Sequence, residues 1–247
     1  MQLRVIGCGD AFGAGGRLQT AFHVTGSDHN MLLDCGATTM IGLARDDIDP
    51  NGITTIVISH LHGDHFSGLV WFLLHAKFRG RRSAPLTIVG PDGIEDRLAQ
   101  TSELLFPGMT SQPCAFEVTF KTFDVGRDVE VDGLAVEAFA GKHPSGALSA
   151  MLRLSFANKV LAFSGDTEWV DDLVACADGA DLFITECYGL KPGIPYHLDW
   201  QTLSDRLDRL RAKQILLTHM NPEMLAAREQ VTHPRVKLAD DGLVVTF

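Results

Sequence analysis

The chain lacks a cysteine framework. Its five cysteines (Cys8, Cys35, Cys114, Cys176, Cys187) are scattered over 247 residues, odd in number and without a CxxC pair. That argues against a disulfide scaffold and for a reducing cytoplasm. It also lacks an apolar run of the roughly 20 residues a membrane helix needs. Mean hydropathy is only slightly positive, at +0.08. Met1–Ile6 reads as a first strand, with no basic segment followed by a long apolar one. The expectation is no signal peptide and a cytoplasmic location. Basic charge is scarce: 21 Lys and Arg against 31 Asp and Glu give a formal net charge of −10. A global basic footprint for nucleic acid is therefore absent, which weakens duplex binding without excluding a local patch. The one dense basic run, Lys77–Arg82, reads as a helix C-terminus and a solvated turn, with contact to an anionic substrate as the second reading. The glycine-rich loop Gly7–Gly16 matches neither Walker A nor the dinucleotide fingerprint. No linker is visible, so the expectation is one domain, and 45% hydrophobic residues suffice for a substantial core.

What the chain does have is Thr55-Ile56-Val57-Ile58-Ser59-His60-Leu61-His62-Gly63-Asp64-His65-Phe66. An apolar, β-branched strand runs into three histidines and an aspartate, then into an apolar helix. Residues two apart on extended chain point the same way, so His60 and His62 project together. Gly63 allows a turn. Asp64 and His65 then open a helix, with Asp64 near its positive end. Two ligand pairs aimed from two directions suit two adjacent metal ions. Imidazole with carboxylate favours zinc, with iron or manganese as substitutes.

The pattern predicts alternating short strands and helices. Strands are expected at Gln2–Gly7, Ala21–Thr25, Met31–Asp34, Ile53–Ser59, Leu86–Val89, Glu117–Phe123, Val129–Val131, Leu134–Ala140, Ala150–Phe156, Lys159–Ser164, Asp181–Thr185, Gln214–Thr218 and Leu243–Phe247. Hairpins are expected at Gly26-Ser27-Asp28 and Ala157-Asn158. Helices are expected at Thr38–Arg45, Phe66–Phe78, Pro91–Leu105, Glu168–Ala177, Trp200–Ala212 and Pro222–Gln230. A faint internal echo links Met31–Gly36 and Ile56–His60 with Leu161–Thr167 and Ile215–His219. Two similar halves packed sheet against sheet, helices outside, would bring both acidic turns to one edge.

Three more candidate ligands stand at strand ends: His143, Asp166 and His219. Taken singly, each reads as a cap or a satisfied polar group; beside the first cluster they read as the rest of a metal site. Asp34 and Glu186 follow apolar strands and could orient imidazoles. His23, His29, His75 and His233 read as structural or solvated. Cys8 lacks an adjacent base and is no nucleophile.

His60-Leu61-His62-Gly63-Asp64-His65 resembles the HxHxDH signature of the metallo-β-lactamase superfamily, and His143, Asp166 and His219 fall in that superfamily's order. Ser164-Gly165-Asp166-Thr167 and His197 resemble its ribonuclease Z and phosphodiesterase-like branch. The resemblance covers the whole chain. It implies an α+β fold, an αββα four-layer sandwich, with a dinuclear zinc site at one edge. Carried over by position, His60, His62 and His143 would hold one ion, Asp64, His65 and His219 the other, and Asp166 both. His197 would protonate the leaving group and Asp64 orient the water. Arg17, near the end of the glycine-rich loop, would meet substrate phosphate. A histidine at position 62, where redox relatives carry a carboxylate, favours hydrolysis. Ribonuclease Z grips transfer RNA with an arm inserted between the third ligand and the bridging aspartate; His143 to Asp166 leaves no room for one. The expected substrate is therefore a small anionic phosphodiester or nucleotide. Carboxylic ester, sulfate ester, lactone and RNA 3′-end hydrolysis stay open, as does a metal-dependent binding protein without activity. No membrane partner is expected, nucleic acid is not favoured, and a homodimer is left open.

Overall fold

The computed structural model describes residues 1–26 and 28–247. Ser27, the middle of one expected hairpin turn, lies outside them. The described residues form two seven-stranded sheets. In the first, β1 (Gln2–Gly7), β2 (Ala21–Gly26), β3 (His29–Leu33), β4 (Thr55–Val57), β5 (Leu86–Pro91) and β6 (Val118–Phe123) lie side by side in chain order. Pairing is antiparallel from β1 to β3 and parallel from β3 to β6. The second sheet carries β7 (Val129–Val131), β8 (Leu134–Ala140), β9 (Ala150–Phe156), β10 (Lys159–Phe163), β11 (Leu182–Glu186), β12 (Gln214–Thr218) and β13 (Val236–Leu238). It is antiparallel up to β10 and parallel beyond it. The last strand, β14 (Val244–Thr246), crosses back to pair with β1.

The two-residue period of the strands builds the layers. Leu33 and Val57 face inward with Phe163 and Ile184 in the core between the sheets. Their neighbours Leu32, Ile56 and Ile58 face outward, against α1 (Thr39–Arg45), α3 (Gly68–Leu74) and α4 (Ile94–Leu105), with the one-turn α2 (Gly63–Phe66) preceding α3. On the other side Met151, Ala162, Phe183 and Ile215 pack under α5 (Asp172–Cys176), α6 (Trp200–Ser204) and α7 (Pro222–Ala226). The expected αββα sandwich results.

Strand positions follow the sequence closely; helices are shorter than expected. The expected helix Phe66–Phe78 starts three residues early, breaks at Ser67 and ends in a π turn over His75–Arg79. Glu168–Ala177 contracts to α5, and the Thr167 and Glu168 amides before it donate to Glu186 and to the Lys142 carbonyl. Trp200–Ala212 and Pro222–Gln230 each break into one α-helical turn and a 3₁₀ turn, started by the capping side chains of Asp199 and Asn221. The strand expected at Ile53–Ser59 keeps only Thr55–Val57, and β13 was not foreseen. Arg82, expected in a solvated turn, is 2% exposed and donates to the carbonyls of Pro50, Asn51, Ile53, Ala84 and Pro85. The internal echo is real in topology but shifted. β3 matches β10, each the last strand of an antiparallel run, so β4 matches β11, and β12, which leads to His219, matches β5.

Candidate metal centre

The second sheet's parallel strands and the first sheet's β3 and β4 send their C-terminal ends to one edge, and the candidate ligands gather there. His62 precedes α2 in extended conformation, so Asp64 and His65 fall in that helix's single turn. The His60 and His62 rings stand 5.1 Å apart, edge to face. Gly36, after β3, and Gly68, opening α3, let the backbones touch. A Cβ on Gly68 would lie 2.1 Å from the Gly36 carbonyl oxygen, and one on Gly36 would lie 2.4 Å from that of Asp64. Cys35 N donates to His65 O, and Gly68 N to Cys35 O. This locks the ligand-bearing turn against Asp34.

Asp166 sits at the middle. Its Oδ2 faces the Nε2 atoms of His219, His143 and His60 at 3.6, 3.8 and 3.9 Å. Its Oδ1 faces His65 Nε2 at 3.4 Å. Asp64 Oδ2 lies 3.2 Å from His219 Nε2 and 3.4 Å from His65 Nε2. His62 Nδ1 and His143 Nε2 stand 2.9 Å apart. Four groups among the described residues could each hold an ion: His60 with His62 and His143, Asp64 with His65, Asp166 and His219, and two that contain His197, one with His143 and Asp166 and one with Glu186 and His219. All seven expected ligands are brought together.

A second layer fixes which nitrogen each imidazole presents. His65 Nδ1 donates to Asp34 Oδ2 at 2.7 Å. Ser59 Oγ donates to the same oxygen at 2.8 Å, and its amide donates to Oδ1 at 2.7 Å. His60 Nδ1 lies 3.0 Å from Ser59 Oγ, whose proton is already committed, so the imidazole donates. One buried carboxylate thus orients two imidazoles, His65 directly and His60 through Ser59, and each turns its Nε2 inward, where neither atom finds a hydrogen-bond partner. His143 Nδ1 likewise donates to Tyr196 O at 3.1 Å. Asp34, Tyr196 and His219 all hold left-handed backbone, at φ of 58°, 66° and 58°, which clusters local strain around the site.

The electrostatics fit a divalent cation. Burial pushes His60 well below the usual imidazole range, leaving it a neutral donor. Against burial, Asp166 and Asp64 hold His65 well above that range, and Asp166 and a hydrogen bond to Asp64 raise His219. Burial likewise opposes ionisation of Asp166 and Asp64, yet the surrounding imidazoles keep both carboxyls below their ordinary range. The buried carboxylates call for positive charge between them. Two buried carboxylates and inward-facing imidazole nitrogens without hydrogen-bond partners meet the requirements of metal ions.

His197 comes over this group from the loop between β11 and α6. Its ring lies 4.9 Å from that of His143 and 6.0 Å from that of His219. Its Nδ1 meets Glu186 Oε2 at 2.9 Å. Glu186 is fully buried, and burial with nearby Asp166 pushes its carboxyl well above the usual range. Asp34 and Glu186 are therefore both orienting residues, Asp34 for two candidate ligands and Glu186 for His197. Arg17 is not at the site. It pairs with Asp240 at 3.2 Å, under the glycine-rich loop. Cys8 is buried against Asp241, which with burial pushes its thiol far up, so it is no nucleophile. His23, His29, His75 and His233 lie outside the cluster. Phe12 and Tyr188 do border the cavity, of about 170 Å³, and were not anticipated. Tyr188 carries a weak signal in being two residues beyond Glu186 at the same strand end.

A family model described as "Anti-Pycsar protein Apyc1" matches residues 1–241. Ribonuclease Z of Agathobacter rectalis is 25% identical, over 89% of this chain and 87% of its own length. Ribonuclease Z of Shouchella clausii is 31% identical, and the chain spans only 45% of its length. The structure of the human tRNase Z short form superposes with a TM-score of 0.79 at 24% identity, covering 100% of this chain and 99% of the other. Bacillus subtilis YhfI, described as a metallo-beta-lactamase fold protein, gives 0.78 at 20% identity, covering 99% and 98%. These likenesses show the metallo-β-lactamase fold.

Proposed function

The chain belongs to the family described as anti-Pycsar protein Apyc1, among the metal-dependent hydrolases of the ribonuclease Z and phosphodiesterase-like branch, and from that membership we propose a dinuclear zinc phosphodiesterase acting on a small phosphodiester or nucleotide. The observation that carries the reading is Asp166. Its Oδ2 faces His60 and His143 of one ligand group and His219 of the other, and its Oδ1 faces His65, so this carboxylate stands between the two groups. His60, His62 and His143 would hold one ion, Asp64, His65 and His219 the other, and Asp166 both. Nitrogen and carboxylate donors suit zinc, with manganese or iron as substitutes. When bound, such a pair supplies an activated water and neutralises charge on the phosphoryl oxygens.

The chain's own groups supply the rest. Asp64 accepts a hydrogen bond from the attacking water and orients it in line with the leaving oxygen. His197, steadied by Glu186, hands a proton to the departing alkoxide. The small cavity and the two-residue turn from β9 to β10, which carries no arm, support a small substrate. RNA 3′-end processing is the second reading, favoured by the ribonuclease Z relatives and opposed by the net charge of −10.

The test is a panel of bis(4-nitrophenyl) phosphate, 3′,5′-cyclic nucleotides, an aryl sulfate and a lactone. The diesters are expected to be turned over best, and His62→Ala to lose at least about 100-fold in kcat/KM. Preference for the lactone or sulfate, or undiminished diester activity in His62→Ala, overturns the reading.

A further inference from the structure

Three of the imidazoles in the cluster are aimed by a partner behind them. His65 turns on Asp34, His60 on Ser59, and His143 donates to Tyr196 O. His62 has no such partner among the described residues. Its one hydrogen-bond contact is forward, to His143 Nε2 at 2.9 Å. Where the His62 ring stands is therefore set by its backbone, which leads in from Leu61.

Arg97 holds that backbone. Its Nη1 donates to Leu61 O at 3.3 Å, between His60 and His62, and to Ser145 O at 3.0 Å, two residues beyond His143. One nitrogen thus grips the loop after β4 in the first sheet and the loop between β8 and β9 in the second. The helix that carries it is itself seated. Ile94 and Leu98 of α4 are both buried in the first sheet's outer core. The second loop makes room for the guanidinium with a glycine. Gly146 takes φ of 75°, and a Cβ there would lie 2.9 Å from Arg97 Nη2. The other ligand group is held by different means. Cys35 N donates to His65 O, and His219 N donates to Cys8 O. Arg97 touches neither.

Resting on the two-ion reading above, we propose that Arg97 is a positioning residue for one ion of the pair. It clamps the His62 and His143 loops at the separation that the His60, His62 and His143 group needs, and leaves the Asp64, His65 and His219 group alone. Without the clamp the two loops part, and the ion held between them is bound less tightly. A lysine ammonium also carries more than one N–H on a single nitrogen, so it can serve both carbonyls as Nη1 does.

The experiment titrates chelator-stripped protein with zinc in competition with a chromogenic chelator. The proteins are the wild type, Arg97→Met, which keeps an apolar stem, Arg97→Lys, His62→Ala and the double variant Arg97→Met/His62→Ala. The thermal midpoint of each stripped protein is read beside the titration. Arg97→Met is expected to keep one equivalent at wild-type affinity and to weaken the other by about 10- to 100-fold. Arg97→Lys recovers most of that loss. In the His62→Ala background, Arg97→Met adds less than about twofold, because one of the two loops no longer carries its ligand. If both equivalents weaken alike, if neither weakens while the midpoint falls, or if the losses of Arg97→Met and His62→Ala multiply, Arg97 is a tie of the fold alone and the proposal is overturned. A wild type that takes up a single equivalent overturns the two-ion reading instead, and the comparison with His62→Ala still decides whether Arg97 acts through His62.

Discussion

Asp34 shows how much of this site rests on single residues. One carboxylate, fully buried, accepts from the Ser59 amide, the Ser59 hydroxyl and His65 Nδ1, and through Ser59 reaches His60. Burial pushes its carboxyl up and these donors pull it back. Asp34→Ala leaves His65 without its orienting acceptor and leaves the Ser59 hydroxyl, which accepts from His60, without the carboxylate that holds it. Metal affinity is expected to fall by about 10- to 100-fold, read by competition with a chromogenic chelator. Glu186 plays the matching part for His197. His197→Ala is expected to lower kcat for an alkyl diester by about 100-fold or more, and Glu186→Gln by less. Both lose less on an aryl diester, whose phenolate leaves without a proton. Equal losses on the two substrates would deny His197 the role of general acid. At this scale the sequence was legible where chemistry is dense. His60 to His65 announce themselves, and His143, Asp166 and His219 follow from their places at strand ends. Arg17 misled because proximity along the chain to a glycine-rich loop says nothing about which side of the loop a guanidinium takes. Phe12 and Tyr188 left no signal beyond position, since an aromatic residue in a loop has no period to betray it.

At the scale of elements, the contact that seats the ligand-bearing turn is backbone on backbone. Gly68 opens α3 against the carbonyls of Gly36 and Cys35, at 2.1 and 2.7 Å from where a Cβ would sit. Gly68→Ala forces α2 and α3 away from the turn after β3. The expected cost is about 1–3 kcal/mol or more by chemical denaturation, with weaker metal binding beside it. Gly63→Ala, five residues earlier, meets only the Ser67 hydroxyl at 3.8 Å. It is expected to stay within about 0.5 kcal/mol of the parent. Arg97 on α4 ties the two sheets' ligand loops together, donating to Leu61 O at 3.3 Å and Ser145 O at 3.0 Å. Strands were readable because their two-residue alternation is set by the faces they bury. Helix ends were not, because the segments that flank them are held by partners remote in sequence, as Thr167 and Glu168 ahead of α5 are by Glu186 and Lys142. β13 escaped because its three residues pair in parallel with β12, so no hairpin announces it.

For the whole molecule, the two sheets share a buried interface to which both halves contribute, with Phe22 of the first sheet edge-on to Phe163 of the second at 5.7 Å. Phe163→Ala is expected to cost about 3–5 kcal/mol. The sandwich class was legible from the alternating pattern and the resemblance it carries; the pairing of β14 with β1 was not, since such a return depends on contacts across the full chain length. A bound metal would join the halves too, because the candidate ligands come from both sheets. Chelation is therefore expected to lower the thermal midpoint. An ion at about 100 times its dissociation constant contributes about 2.7 kcal/mol. At about 2–4 °C per kcal/mol for a chain of this size, the midpoint falls by roughly 5–10 °C, read by calorimetry.

The most direct test of the central claim titrates chelator-stripped protein with zinc and follows hydrolysis of bis(4-nitrophenyl) phosphate. Sharing of Asp166 between two ions predicts that activity levels off at two equivalents per chain, and that Asp166→Asn abolishes the plateau. Levelling off at one equivalent, or full diester hydrolysis by the stripped protein, would contradict it.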